Sequence, residues 1–175
     1  EWEARAEGLP YASPEEALIM ASIIEPETGT ESERALVASI FVNRLRIGMR
    51  LQTDPTVIYG LGQGFDGNLR RADLLTDNPY NSYTRAGLPP TPICLPGRAA
   101  IHAALHPADT RYLYFVARGN GTHIFSETLD AHNSAVDQFQ KKAARPQAVP
   151  KSKAIVVEDA PKSKSKSKPK HASKN

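Results

Sequence analysis

Apolar positions recur at helical spacing through the first third of the chain and give way to strand-like runs only after residue 110. Ser13-Pro14-Glu15-Glu16 has the make-up of a helix start: a serine cap, proline at the first position and acids in the first turn. Ala17 to Ile24 continues almost wholly apolar, which predicts a buried helix. Pro26 is predicted to stop it, because a residue before proline is pushed out of the α region, and Glu25 then falls at or just past the helix end. Thr30 to Arg46 predicts a second helix, opened by a Thr30-x-x-Glu33 capping box, with Leu36, Val37, Ile40, Phe41 and Leu45 at helical spacing and Gly48 as its end. Asp54-Pro55 opens a third, short helix carrying Val57, Ile58 and Leu61.

Residues 62–98 are rich in Gly, Pro and Asn and read as loop with short helices. A helix is predicted over about 98–106, then a strand over Tyr112–Ala117, a Gly119-Asn-Gly121 turn and a returning strand over Thr122–Phe125. Ser126 or Thr128 caps a last helix reaching about Gln140. The fold class that follows is α+β, mainly helical, with a small antiparallel β element near residues 112–125.

Composition changes this picture at one place. Residues 141–175 hold 11 of the 22 lysines and arginines but 2 of the 19 acids, so residues 1–140 set 11 basic groups against 17 acidic ones. The net charge of +3 therefore hides an acidic body and a basic tail. All lysines lie in that tail, and its alternating Lys-Ser text predicts disorder over 143–175, leaving one domain over 1–142. A basic pI from a tail is no sign of a nucleic-acid-binding domain, and no nucleic acid is expected as partner. The tail is read as a solvated extension, with contact to an anionic surface as the alternative. Cys94 is the sole cysteine, which excludes an internal disulfide and any cysteine-based metal site. His102 and His106 stand four apart but lack the glutamate of a zinc-binding H-E-x-x-H, so no metal is expected. No apolar run reaches the ~18–20 residues of a membrane span. A start at Glu1 without an initiator methionine reads as a fragment or processed form.

The chemistry concentrates between Ala21 and Gly62. A lone carboxyl in a semi-apolar setting is what general acid cleavage of a glycosidic bond needs. Glu25 is the first candidate. It follows an all-apolar helix, opposes the dipole at that helix's C-terminus, and a locally unfavourable residue suggests a functional position. Glu27, between Pro26 and Gly29, is expected in a turn and more exposed, so Glu25 is preferred. Gln52 and Thr53, within the polar run Arg50–Thr56, have uncharged side chains suited to sugar hydroxyls. Asp54 either caps the third helix or pairs with Glu25 as the second carboxyl of a lysozyme-like hydrolase. Tyr80-Asn-Ser-Tyr83 can stack on sugar rings or simply pack a Pro-rich loop on the core.

Taken in order, Ala21-Ser-Ile-Ile-Glu-Pro-Glu-Thr28, the block from Asn43 to Gly60, Tyr80-Asn-Ser-Tyr83, Gly87-Leu-Pro-Pro90, Tyr112-Leu-Tyr-Phe-Val116 and Thr122-His-Ile-Phe-Ser126 with His132-Asn133 resemble the catalytic domain of the endolytic murein transglycosylases, the YceG-like (MltG) family. The likeness covers roughly residues 1–140, and the tail has no part in it. A fainter one, through Glu25, Met49-Arg-Leu-Gln52 and Tyr80-Asn81, reaches the wider lytic transglycosylases of lysozyme-like fold. The resemblance implies a bacterial enzyme cutting the MurNAc–GlcNAc β-1,4 bond of nascent glycan strands. Glu25 would be acid and then base, and the product a 1,6-anhydroMurNAc end, with no cofactor. Asn43, Gln52, Thr53, Asp54, Tyr59, Asn81 and Tyr83 are the implied saccharide contacts. Peptidoglycan strands and cell-wall synthases are the implied partners. The implied location is the periplasmic face of the inner membrane, through an N-terminal anchor that this chain does not contain. A cell-wall-binding module without catalysis is the alternative from another class.

Overall fold

The computed structural model describes residues 1–27 and 29–141, so the basic tail lies outside the described residues. Six helices and a hairpin make the body, in the order α1 (Pro14–Glu27), α2 (Arg34–Arg46), α3 (Asp54–Leu61), α4 (Arg71–Leu75), α5 (Arg98–Leu105), β1 (Tyr114–Ala117), β2 (His123–Ser126) and α6 (Leu129–Val136). Short 3-10 turns lie at Trp2–Ala4, at Glu31–Glu33 directly before α2 and at Gly62–Gly64 after α3, and a π-turn, Asp137–Lys141, follows α6. The class is thus α+β as expected, with one two-stranded antiparallel sheet pairing Phe115 with Phe125 and Ala117 with His123.

The core is where α1 packs on α5 and α2. Met20, Ile23, Ile24, Val37, Phe41, Leu51, Ala100 and Ala104 are buried in it. Phe41 meets Phe115 of β1 edge-on, which ties the hairpin to the helices. Burying one side chain of that size contributes about 1.5–3 kcal/mol. A smaller cluster of Val57, Leu74 and Tyr83 joins α3 and α4 to the loop after them. Among the described residues no helix is long and apolar enough to cross a membrane.

Two sequence expectations are corrected at the ends of α1 and α2. Helix α1 does not stop before Pro26 but runs through it to Glu27. Proline removes one N–H, and the carbonyl it would have served, that of Ser22, instead accepts the thiol of Cys94 at 3.2 Å. Ile93 N also donates to Ser22 Oγ, so the 93–94 loop repairs the lost turn. The capping box at Thr30 is absent. Thr30 Oγ1 donates to Gly121 O and Glu33 reaches His123, so both residues bind the hairpin rather than α2. Elsewhere the boundaries shift by a residue or two, and Thr128 is the cap of α6, accepting from Ala131 N.

Candidate active site

Glu27 is the last residue of α1 and its carboxyl is enclosed, although the residue keeps some exposure elsewhere. Burial dominates its titration and holds the carboxyl above the usual glutamate range. The Thr53 hydroxyl donates to Glu27 Oε1, which acts in the opposite direction. The charge of Asp54 raises it again, while His123 and Arg44 lower it. Burial and a neighbouring carboxylate therefore favour the protonated form of one acid, with a hydroxyl and two basic residues in place to receive the anion.

Each of those neighbours is fixed by the local fold. Thr53 is the residue before α3, and its N–H is held by Ser82 Oγ at 3.0 Å. Ser82 Oγ also meets Thr56 Oγ1 at 2.7 Å, which locks the start of α3 against the 81–83 loop. Asp54 opens α3, and its Oδ1 accepts the Tyr83 hydroxyl at 2.7 Å. Burial and the Asp54 charge push the Tyr83 phenol well up, so it remains a donor. Arg44 is buried and spans three elements, with Nε donating to Leu113 O and Nη1 to Leu51 O, both at 2.7 Å. Burial lowers its guanidinium to about 10. Glu33 receives both the backbone N–H of His123 and its ring Nδ1, the latter at 2.8 Å, and so sets the hairpin tip beside the site.

The expected site residues separate into three groups. Thr53, Asp54 and Tyr83 gather around Glu27. Gln52 adjoins them with φ +50, the one non-glycine residue in the left-handed region among those described. Its neighbours are pinned, since Leu51 O is held by Arg44 and Gln52 N donates to Ser82 O. Such strain costs about 1–2 kcal/mol and persists only where the surroundings over-determine it. Tyr59 is exposed on α3.

Glu25, Asn43 and Asn81 each hydrogen-bond the backbone of another part of the fold. Glu25 Oε2 accepts Gly97 N at 2.9 Å, at the N-terminus of α5. Its charge opposes the dipole of its own helix but complements that of α5, which removes the reason for reading it as functionally strained. Asn43 Nδ2 donates to the carbonyls of Thr110 and Tyr112. Asn81 is wholly buried, its amide donating to the carbonyls of Asp73, Leu74 and Thr76 while its Oδ1 accepts Tyr83 N. It leaves no exposed surface of its own.

Sequence reasoning missed Glu27 as the enclosed acid, and it missed Arg44, Glu33 and His123. Arg44 carried a signal: it continues the buried face Val37, Ile40, Phe41 at the next helical step, where a cation has no bland reason to be. The Glu33–His123 pair joins residues 90 apart and leaves no local trace. The described residues contain no group of three or more His, Cys, Asp or Glu side chains placed to hold a metal ion.

Comparison with known proteins adds four findings. A family model described as the YceG-like family matches residues 1–138. The chain is 48% identical over 122 residues to the endolytic murein transglycosylase of Bacillus subtilis (strain 168), covering 70% of this chain and 34% of that one. It is 36% identical over 107 residues to the protein of the same name from Streptococcus pneumoniae serotype 2, covering 58% of this chain and 19% of the relative. A crystal structure of a yceG-like protein from Listeria monocytogenes superposes with a TM-score of 0.63 at 46% identity, over 69% of this chain and 38% of that one. The chain thus spans about a third or less of the curated relatives it matches.

Proposed function

The chain belongs to the YceG-like family, and we propose that it is the catalytic part of an endolytic murein transglycosylase in which Glu27 is both general acid and general base. The observation that carries this reading is the Glu27 carboxyl at the end of α1, which accepts the Thr53 hydroxyl and which burial holds above the usual glutamate range. Neutral Glu27 protonates the glycosidic oxygen between MurNAc and GlcNAc as the C1–O bond breaks. The resulting carboxylate is stabilised by the Thr53 hydroxyl and by the charge of Arg44. It then takes the proton of the C6 hydroxyl of the same MurNAc, whose oxygen attacks C1. A 1,6-anhydro ring closes, Glu27 is neutral again, and neither water nor a second acid is consumed. Gln52 is the proposed saccharide contact beside the acid, and its strained backbone supports that role.

The same reading makes residues 1–142 the catalytic unit, of lysozyme-like type, and 143–175 an appendage. It places the enzyme in the cell envelope with peptidoglycan glycan strands as substrate. Synthase partners and an anchor in the inner membrane of the longer protein complete it.

Mass spectrometry of soluble products from purified peptidoglycan tests the activity. Anhydro ends are expected; hydrated reducing ends would point instead to a hydrolase in which Asp54 is the second carboxyl.

The charges around Glu27 predict two opposite shifts in the pH profile. Asp54 raises the Glu27 pKa, so Asp54→Asn should move the alkaline limb of kcat/KM to lower pH. The Thr53 hydroxyl lowers it, so Thr53→Val should move that limb to higher pH. Equal shifts in one direction, or none, would remove Glu27 as the titrating acid.

A further inference from the structure

Glu33 and His123 form a pair that the proton transfers proposed above do not use. It joins the turn before α2 to the first residue of β2. Glu33 Oε1 accepts the backbone N–H of His123 at 3.1 Å, and its Oε2 meets ring Nδ1 at 2.8 Å. Both side chains are largely enclosed, 13% exposed for Glu33 and 16% for His123. The ring stands edge-on to Phe115 at 5.4 Å and tilted against Phe125 at 6.3 Å. An ionised carboxylate only accepts, so Nδ1 carries a proton and Nε2 is the second nitrogen. Nε2 has no partner among the described residues and is not sealed in, so it stays open.

Holding the hairpin does not require that ring contact. Asn43 and Arg44 hold the approach to β1 through the carbonyls of Thr110, Tyr112 and Leu113. Phe41 meets Phe115, and Thr30 Oγ1 donates to Gly121 O in the turn. One oxygen of Glu33 already takes the strand N–H, and the other fixes an imidazole. Such an enclosed pair is weak evidence for stability in itself, because desolvation offsets much of the attraction. Its place is the informative part. The charges that bear on Glu27 are Asp54 of α3, Arg44 of α2 and His123 of β2, with the Tyr83 phenol bonded to Asp54. Arg44 is locked by the carbonyls of Leu113 and Leu51. His123 is located by Glu33.

We propose that Glu33 is a positioning residue, holding His123 as the imidazolium that faces the Glu27 carboxylate formed when the acid gives up its proton. One N–H of that ring is engaged by Glu33 and the other is directed to the site. His123 itself neither gives nor takes a proton; Glu27 alone does. A cation fixed in advance needs no reorganisation as the anion forms. That Glu27 is the acid rests on the function proposed above. The arrangement gives Glu33 an influence of unexpected sign. Acting directly, an anion raises the pKa of another carboxyl, but acting through a held cation it lowers it.

The test is the carbon-13 carboxyl titration of Glu27, read by NMR on the full chain, beside the pH profile of kcat/KM on purified peptidoglycan. Glu33→Gln keeps the side-chain length and an oxygen for the His123 N–H, so Tm should change little. It removes the counter-charge of the ring, so the Glu27 titration and the alkaline limb of kcat/KM should both move to higher pH. His123→Gln should move them the same way, and Glu33→Gln added to it should move them no further up. With Glu27 a weaker acid, kcat in either single variant should fall about tenfold. A move to lower pH in Glu33→Gln would mean that Glu33 acts by its own charge and would overturn the proposal. So would no move, the mark of a mere latch, or upward moves that add in the double variant. The expected Glu27 titrations in a chain that yields no anhydro ends would uphold the pair and overturn the transglycosylase reading instead.

Discussion

Glu27→Gln is expected to reduce glycan cleavage by roughly 10³-fold or more, since one carboxyl carries both proton transfers and each such transfer is worth about 10²–10⁴. The amide keeps the size of the side chain and can still accept from Thr53, so the fold should survive. It should in fact gain stability. The folded Glu27 pKa is raised above its unfolded value, so the unfolded chain releases that proton first. Wild-type stability then falls as pH rises from the ordinary glutamate range through the raised folded value. Gln carries no such titration. The variant should be more stable than wild type at neutral pH and equal to it in acid, a pattern seen when a site is costly to hold. Glu25→Gln is the control. It loses the charge that caps α5, costing about 1 kcal/mol, and should leave the rate within about tenfold. Rates measured on purified peptidoglycan that rank the two the other way would return the acid to Glu25.

The sequence favoured Glu25 as the enclosed glutamate, whereas burial acts most on Glu27. Met20, Ile23 and Ile24 mark the buried face of α1, and Glu27 is the next position on it. The periodicity pointed there, but the local rule for proline ended the helix too early. The rule failed because a tertiary contact, Cys94 to Ser22, takes up the carbonyl that Pro26 leaves unserved. Helices α1, α2, α3 and α5 and the hairpin were legible because each is specified by its own periodicity and turn residues. The cluster around Glu27 was half legible. Thr53, Asp54 and Tyr83 stand in polar runs that invite attention, and they do converge on the acid. The split between contact and scaffold was not legible, because it depends on which carbonyls the rest of the fold leaves open. Asn81 illustrates this: a loop asparagine beside two tyrosines reads as a ligand contact until three carbonyls claim its amide.

Asn81→Ala should therefore act on stability first and on activity through it. The substitution removes the partner of the carbonyls of Asp73, Leu74 and Thr76, of which Leu74 is buried, and of the buried Tyr83 N. Each buried group left unpaired costs about 1–3 kcal/mol, and relaxation recovers part of the sum, so a net loss of about 3 kcal/mol is expected. For a domain of this size that is roughly 6–12 °C in Tm. The damage has a direction. Asn81 holds α4 to the loop that presents Ser82 and Tyr83, and those two residues hold Thr53 and Asp54 against Glu27. Well below the variant's lowered Tm, kcat should still fall, because Thr53 and Asp54 lose their register on the acid. KM for short glycans should change little, because Asn81 has no exposed surface with which to bind them. A saccharide contact would behave in the opposite way, raising KM with an unchanged Tm, and thermal denaturation beside steady-state kinetics separates the two.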